Sequence, residues 1–125
     1  SEPLIEKDLP LSGGSGCMIS AINYNGKIDG KDAVILSAPA ADDRKNGYIY
    51  VGLIHENADE YNIEWTYKTE ITDENTNFAY SCLTQLPNGN IGLLYEQSNA
   101  PQTIDTVIFE SYSTEELCET AINGL

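Results

Sequence analysis

The sequence predicts an all-β fold that ends in a short C-terminal helix. Runs of apolar and β-branched residues recur at short, regular spacing, and Gly, Pro, Asn and Asp separate them, which is typical of strands and turns. The tail STEELCETAINGL has a different period, because Leu117 and Ala121 share one helical face. The predicted order is therefore a series of strands followed by one helix.

Seven strands are predicted along the chain. They cover residues 16–24, 32–37, 47–54, 61–71, 79–86, 90–96 and 104–111. Residues 1–15 are predicted to be a lead-in loop, because the glycines of SGGSG are not followed by the Gly-Lys-Ser/Thr of a phosphate loop. The helix is predicted over 113–123, since Ser113 and Glu116 have capping-box spacing and an Asn-Gly pair supplies a stop.

Seven strands fit two all-β architectures. Grouping them in fours gives one complete set over 16–71 and a set of three over 79–111. A β-propeller explains the missing strand, because closing its ring often takes one strand from the other end of the chain. Strand count alone favours a β-sandwich, so both architectures stay open at this point.

Composition and charge limit the partners. The chain has 125 residues, of which 41% are hydrophobic, so it can bury one modest core, and no apolar stretch is long enough to span a bilayer. Its 20 acidic and 6 basic residues give a formal charge of -14, which disfavours nucleic acid and anionic membranes as main partners. Arg44 is the single arginine, so an anionic ligand requires a local cationic site.

The sequence indicates no metal site and no cofactor. Cys17, Cys82 and Cys118 are odd in number and widely spaced, which predicts buried free thiols rather than a zinc site or a disulfide framework. In DDRKNG, Arg44 occupies a position where an EF-hand loop needs an oxygen ligand, which argues against calcium. His55 is the single histidine and no nucleophile elbow is present, so we expect a strand-end histidine facing solvent rather than a hydrolase base.

Two segments carry the most information: SAPAADDRKNGYIYVGLI and, about 30 residues later, FAYSCLTQLPNGNIGLLYEQ. The second segment reads as two strands around a Pro-Asn-Gly-Asn turn, so pairing brings Tyr80 and Glu96 to the open end of a hairpin. Whether the two side chains share a face depends on the length of the turn. Together with SGCMISAI, these segments resemble the bacterial-type sialidase (neuraminidase) family, specifically the C-terminal part of its catalytic domain.

The resemblance implies three site residues. It implies that Tyr80 is the catalytic nucleophile, that Arg44 is the third arginine of a triad that binds the substrate carboxylate, and that Glu96 supports the triad's first arginine. No segment of this chain matches the other two arginines, the acid/base aspartate or the glutamate that activates the tyrosine, which lie upstream in family members. A neutral tyrosine suits the substrate, because sialic acid carries a carboxylate on its anomeric carbon that would repel an anionic nucleophile.

The resemblance also implies a fold and a function. We expect about one and a half to two blades of a six-bladed β-propeller, with one four-stranded blade over 16–71 and three strands of the last blade over 79–111. The implied function is part of an exo-alpha-sialidase that releases terminal sialic acid from glycoconjugates with retention, in a secreted or cell-surface location. The expected partners are sialylated glycans and the upstream part of the same enzyme, without which the chain is expected to be inactive. The alternative is a non-catalytic β-sandwich that binds glycans or proteins.

A degenerate repeat signature gives a weaker indication. The family's Asp box, Ser-x-Asp-x-Gly-x-x-Trp, has Ala58, Glu60 and Asn62 in its register here and retains only Trp65. Trp65 is therefore predicted to be a packing residue near the turn between the third and fourth strands.

Overall fold

The chain forms seven antiparallel strands and one short helix within the part that the structure, a computed structural model, describes. The described residues are 19–41, 45–57, 60–76, 78–97 and 106–122. The elements are β1 (Ser20–Asn23), β2 (Ala33–Ala41), β3 (Lys45–Asn57), β4 (Glu60–Glu70), β5 (Ala79–Gln85), β6 (Ile91–Gln97), β7 (Thr106–Tyr112) and α1 (Thr114–Leu117). No helix in these ranges has the length and apolar character needed to cross a membrane.

The strands form two sheets. The first sheet has the order β1-β2-β3-β4 and the second sheet has the order β5-β6-β7, so that chain neighbours are also sheet neighbours. Four strands followed by three is the grouping that the sequence predicts. Each sheet is thus a meander built from local hairpins, which need only short connections.

The second sheet has two different faces. Its inner face, toward the first sheet, consists of Ser81, Leu83, Ile91, Leu93, Tyr95, Ile108, Glu110 and Tyr112. Its outer face consists of Tyr80, Cys82, Thr84, Leu94, Glu96, Val107 and Phe109. The division follows from the period of two in a strand, which sends successive side chains to opposite faces.

The core lies between the two sheets. Ile35 and Ile49 of the first sheet, Ile91 and Leu93 of the second sheet, and Leu117 of the helix are all 0% exposed and belong to one hydrophobic cluster. Each fully buried side chain of this kind contributes about 1.5–3 kcal/mol of transfer free energy. The helix therefore helps to hold the sheets together although it has only four residues.

The helix is shorter than the predicted 113–123. Ser113 caps it with the predicted box, since Ser113 Oγ accepts from the N–H of Glu116 at 3.1 Å and Glu116 Oε1 accepts from the N–H of Ser113 at 2.9 Å. The helix ends at Leu117 because the following backbone pairs with the edge of β4. The N–H of Lys68 donates to the carbonyl of Thr120 at 3.0 Å, and a bridge joins Ala121 to Tyr67.

The hairpin of β3 and β4 contains Trp65 and His55. The Trp65 ring covers Gly52, where an added Cβ would lie 2.8 Å from the ring, so Trp65 packs against the neighbouring strand as predicted. His55 lies within β3, and its Nε2 is 2.8 Å from Oε1 of Glu64, so this partly exposed histidine has a carboxylate partner. Ala58 of the degenerate signature lies outside the described residues.

The expectation of buried thiols is wrong for one cysteine. Cys82 is an exposed free thiol, because it lies on the outer face beside Leu94, its partner in β6. Cys118 is a partly buried free thiol after the helix, and burial raises its pKa to about 11. Cys17 and the lead-in loop lie outside the described residues.

Candidate active site

Tyr80 lies at a β-bulge near the start of β5. The register between β5 and β6 shifts there, so that Tyr80 and Ser81 both lie opposite Tyr95. The φ angle of Tyr80 is +51°, in the left-handed region that residues with a bulky side chain rarely adopt. Such a conformation costs about 1–3 kcal/mol and persists only where the surrounding structure enforces it. The strained backbone thus coincides with the residue predicted to be the nucleophile.

Tyr80 and Glu96 line the same open pocket. The pocket has a volume of about 530 Å³ and lies at one end of the outer face. Its walls are formed by Tyr80, Leu94, Tyr95, Glu96 and Val107. The Tyr80 side chain is 45% exposed, so a ligand in the pocket can reach it. Both residues lie on the outer face of the second sheet, so their side chains share a face and contribute to the same pocket.

Serine and glutamine side chains attach β5 to the first sheet. Ser81 Oγ lies 2.7 Å from Ser37 Oγ of β2, and both residues are buried. Two residues further along, the N–H of Leu83 donates to Ser20 Oγ of β1 at 3.1 Å. Beyond that, the Gln85 side chain accepts from and donates to the backbone just after β1. The strand that carries Tyr80 is therefore fixed at alternate residues.

Phe78 attaches the start of β5 to β3. Its ring is 0% exposed and packs against Gly47, where an added Cβ would lie 2.1 Å from Phe78 Cγ. The ring also packs against the ring of Tyr95, with the ring centroids 4.9 Å apart. Only a glycine at position 47 allows this close approach of ring and backbone. The packing connects the segment that follows position 44 to the strand that carries Tyr80.

Arg44 lies outside the described residues, so its prediction stays untested. The residues that follow it are held firmly. Asn46 has φ +59° and its side-chain amide donates to the carbonyl of Thr72 at 2.7 Å. The N–H of Gly47 donates to Thr72 Oγ1, also at 2.7 Å. These bonds fix the start of β3 to the segment after β4.

The charge of the pocket is negative. Glu96 is the charged residue among the described residues that line it. A carboxylate ligand in this pocket would be repelled by Glu96 unless cations from elsewhere balanced the charge. Among the described residues, the lining of the pocket includes no cation that could bind an anionic ligand. It also does not supply a full set of catalytic groups.

Tyr95 is a buried tyrosine that lies opposite Tyr80 in the β5–β6 pairing. It is 2% exposed, and its hydroxyl donates to Glu110 Oε1 at 3.2 Å. Tyr112 donates to the same oxygen at 2.7 Å. Burial, followed by the charge of Glu110, raises the pKa of Tyr95 to about 12, and burial raises the pKa of Tyr112 as well. Tyr95 therefore stays protonated well above neutral pH and has a structural role.

Sequence reasoning missed Ser37 and Ser81. Strand alternation could have predicted that Ser81 points away from Tyr80, because the two are neighbours in β5. The contact with Ser37 joins residues 44 positions apart in different sheets, and no local signal identifies it.

The comparisons with known proteins agree on one family. The chain is 42% identical over 123 residues to an anhydrosialidase of Macrobdella decora, an alignment that covers 87% of this chain and 16% of the relative. It is 45% identical over 83 residues to sialidase B of Streptococcus pneumoniae, which covers 66% of this chain and 12% of the relative. No protein-family model matches the chain.

Solved structures give the same result. A leech intramolecular trans-sialidase is 42% identical, with a TM-score of 0.73 over 82% of this chain and 17% of that chain. The chain is homologous to part of a sialidase. An intramolecular trans-sialidase of Ruminococcus gnavus is 37% identical, with a TM-score of 0.78 over 94% of this chain and 26% of that chain. The sialidase resemblance and the propeller-portion fold class are confirmed, whereas the β-sandwich favoured by strand count is wrong.

Proposed function

We propose that this chain is part of an exo-alpha-sialidase in which Tyr80 is the nucleophile. The main support is the combination of a left-handed backbone and an accessible side chain at Tyr80, in a pocket shared with Glu96. Strained residues cluster at active sites, where the surrounding structure fixes a side chain in the orientation that the chemistry needs. The substrate class is terminal sialic acid on glycoconjugates, as the names of the relatives imply.

The reaction proceeds in two displacements. In the first, the phenol oxygen of Tyr80 forms a bond to the anomeric carbon while the bond to the aglycone oxygen breaks and an acid protonates that oxygen. In the second, water attacks the same carbon and the bond to Tyr80 breaks, while the group that acted as the acid takes a proton from the water and the base returns its proton to the Tyr80 oxygen. Two inversions give net retention of configuration. Tyrosine has an ordinary pKa near 10, so a base from the rest of the enzyme must remove its proton during attack.

Arg44 and Glu96 serve the substrate carboxylate in different ways. The planar guanidinium of Arg44 can donate two parallel hydrogen bonds to a carboxylate, which a lysine cannot do. Glu96 is itself anionic, so its position in the pocket favours the substrate only when it binds an arginine. We assign that arginine to the rest of the enzyme, because Arg44 is the single arginine of this chain.

We infer that the apolar part of the outer face of the second sheet packs against the rest of the enzyme, whereas its end with Tyr80 and Glu96 stays open to the substrate. Leu94, Val107 and Phe109 are 44%, 61% and 57% exposed and lie side by side, since Leu94 pairs with Phe109 and Glu96 pairs with Val107. Exposed apolar side chains in one patch indicate an interaction surface. The chain spans only 12–17% of the curated relatives that it matches, which supports a covering surface from the rest of a longer enzyme.

The nucleophile assignment is tested in the longer enzyme that contains this chain. Tyr80→Phe removes the attacking oxygen and keeps the ring, so turnover of a fluorogenic sialoside should fall by about 1,000-fold or more. Tyr61→Phe is the matched control, because Tyr61 is an exposed tyrosine of β4. Wild-type turnover by Tyr80→Phe would remove Tyr80 from the mechanism.

The contribution of the rest of the enzyme is tested with the isolated chain. We expect no turnover of the same sialoside by the pure 125-residue chain, because the base, the acid and two arginines are supplied from elsewhere. Clear turnover by the pure chain would show that these groups are present in it.

A second candidate reaction is intramolecular transfer. The leech structure contains 2,7-anhydro-Neu5Ac, and the Ruminococcus gnavus structure is also described as an intramolecular trans-sialidase. In this variant the 7-hydroxyl of the bound sugar, instead of water, displaces Tyr80. The product is lighter by one water molecule, so mass spectrometry of the released sugar distinguishes the two reactions.

We further propose a secreted or cell-surface location. Terminal sialic acids of glycoconjugates are found outside the cell, which supports an enzyme that acts there. Fractionation of the producing cells tests this, and activity confined to the cytoplasmic fraction would contradict it.

A further inference from the structure

We propose that Ser37 is a positioning residue that keeps Tyr80 in the left-handed bulge, an inference that rests on the proposed nucleophilic role of Tyr80. Ser37 belongs to β2 of the first sheet and does not line the pocket. It acts on Tyr80 through the next residue, Ser81. Several side chains of the first sheet bind β5, and Ser37 differs from the others because it binds the residue directly after Tyr80.

The Ser37–Ser81 hydrogen bond is closed off from solvent. The two hydroxyl oxygens are 2.7 Å apart, and the residues are 0% and 2% exposed. Either hydroxyl can be the donor. A buried hydroxyl that loses its partner cannot turn to water instead, so the pair holds its geometry more strictly than an exposed pair.

Tyr80 lies between two anchors that both come from the first sheet. On one side, Phe78 is packed against Gly47 of β3. On the other side, Ser81 is bound to Ser37 of β2. Only Ala79 and Tyr80 lie between these fixed points. The short span between the anchors leaves the extra residue no room to relax, which accounts for the φ angle of +51° at Tyr80.

The pairing of β5 with β6 shows what an unbulged arrangement of Tyr80 would be. Continuing the register of Gln85 with Ile91 as a regular hairpin would bring Tyr80 directly opposite Glu96. The bulge instead places Ala79 opposite Glu96 and leaves Tyr80 as part of a two-residue bulge. Ser81 stays opposite Tyr95 in either register, so loss of the Ser37 anchor leaves that pairing unchanged. It frees the backbone of Ser81, the other residue of the bulge, to rotate together with Tyr80, with displacement of the phenol oxygen.

Such a displacement affects the chemical step. A nucleophile misplaced by about 1 Å loses about 100-fold in rate, because attack requires close approach along a defined line. Ser37 does not touch the substrate, so the groups that bind sialic acid are unchanged. The expected signature is a lower kcat with an unchanged KM, and slower release of the leaving group in a single turnover.

The test uses the longer enzyme with a fluorogenic sialoside. Ser37→Ala should lower kcat by about 10- to 100-fold with KM within about twofold of wild type. Ser20→Ala is the matched control, since Ser20 lies opposite Ser37 in the ladder and also binds β5, but at Leu83, two residues beyond Ser81. Its kcat should stay within about threefold of wild type. An equal loss in both variants would mean general loosening of β5 and would overturn the proposal.

A double variant separates positioning from stability. Ser37→Ala leaves the Ser81 hydroxyl buried and unpaired, which lowers the Tm, whereas Ser37→Ala/Ser81→Ala leaves neither hydroxyl and should recover much of the Tm. The kcat of the double variant should stay low, because the anchor is still absent. Recovery of kcat together with Tm would overturn the proposal.

Tyr80→Phe in the same assay keeps the two proposals apart. If Tyr80→Phe retains wild-type turnover, the nucleophile assignment fails. If Tyr80→Phe is inactive while Ser37→Ala has wild-type turnover, only the role of Ser37 fails.

Discussion

The two faces of the second sheet differ although the same three strands form both. On the inner face, Leu93 and Tyr95 are 0% and 2% exposed and pack against the first sheet. On the outer face, Leu94 and Val107 are 44% and 61% exposed and line the pocket with Tyr80. Both faces are rich in apolar side chains. The two faces therefore do not differ in polarity. They differ because the first sheet covers the inner face and no described element covers the outer face.

The difference indicates how stability and function are divided in this chain. The inner face holds the two sheets together and supports Tyr80 from behind through Tyr95, which lies opposite the bulge. The outer face carries the groups proposed to act on the substrate at its Tyr80 end, and its apolar remainder needs the rest of the enzyme to cover it. Substitutions on the inner face should therefore change unfolding, and those on the outer face should change activity or assembly.

The largest difference in the free energy of unfolding is expected between substitutions at two neighbouring leucines of β6. Leu93→Ala removes a fully buried side chain and should lower the free energy of unfolding by about 2–5 kcal/mol. Leu94→Ala removes a side chain that is 44% exposed and should cost less than about 1 kcal/mol in the isolated chain. Urea unfolding of both variants measures the pair. Similar losses would contradict the division into a buried face and an open face.

The same pair tests the proposed interface when it is placed in the longer enzyme. There Leu94→Ala should become more destabilising than in the isolated chain, because the outer face is expected to be covered. An unchanged small effect in both settings would argue that Leu94 stays exposed in the assembled enzyme.

A smaller effect is expected at Gly47, where the first sheet contacts the strand that carries Tyr80. In Gly47→Ala the new Cβ would overlap the Phe78 ring, which also packs against the ring of Tyr95. Overpacking of this kind costs about 1–3 kcal/mol. Thermal unfolding and sialoside turnover in the longer enzyme should both decline.

A double variant is the control for Gly47→Ala. Phe78→Leu replaces the ring that the added Cβ would meet, so Gly47→Ala should cost less in that background than in wild type. Additive losses would mean that the cost at position 47 arises from something other than this contact.

The strands and their grouping could be predicted from sequence because both depend on local information. Turn residues and the period of two identify a hairpin without reference to the rest of the fold. Tyr80 and Glu96 were predicted to meet at the open end of one hairpin for this reason, and they do line one pocket. The exposure of Cys82 was missed because alternation gives two faces and does not say which one is covered.

Contacts between distant segments could not be predicted in this way. The Ser37–Ser81 pair and the packing of Phe78 on Gly47 join different sheets, and neither serine nor glycine marks such a contact in the sequence. The shortened helix has the same cause, since Ala121 continues a helical pattern but pairs with Tyr67 of β4. Tertiary hydrogen bonding prevailed over a weak local propensity there.

The smallest effect concerns Tyr95 and appears only at high pH. The pKa of Tyr95 is raised from 10.0 to about 12 in the folded state, first by burial and then by the charge of Glu110. Between these two values the unfolded chain loses the proton and the folded chain keeps it, so the free energy of unfolding falls as the pH rises from about 10 to about 12. Below pH 10 this contribution is fully present.

Tyr95→Phe should flatten that decline, because it removes one group that the unfolded state can ionise and the folded state cannot. At neutral pH the variant should lose about 1 kcal/mol, the net value of the hydrogen bond to Glu110. Urea unfolding of wild type and variant across this pH range gives the difference in slope, with Tyr61→Phe as a matched change at an exposed tyrosine. Equal slopes for wild type and Tyr95→Phe would mean that the inner face does not hold Tyr95 in its protonated form over this pH range.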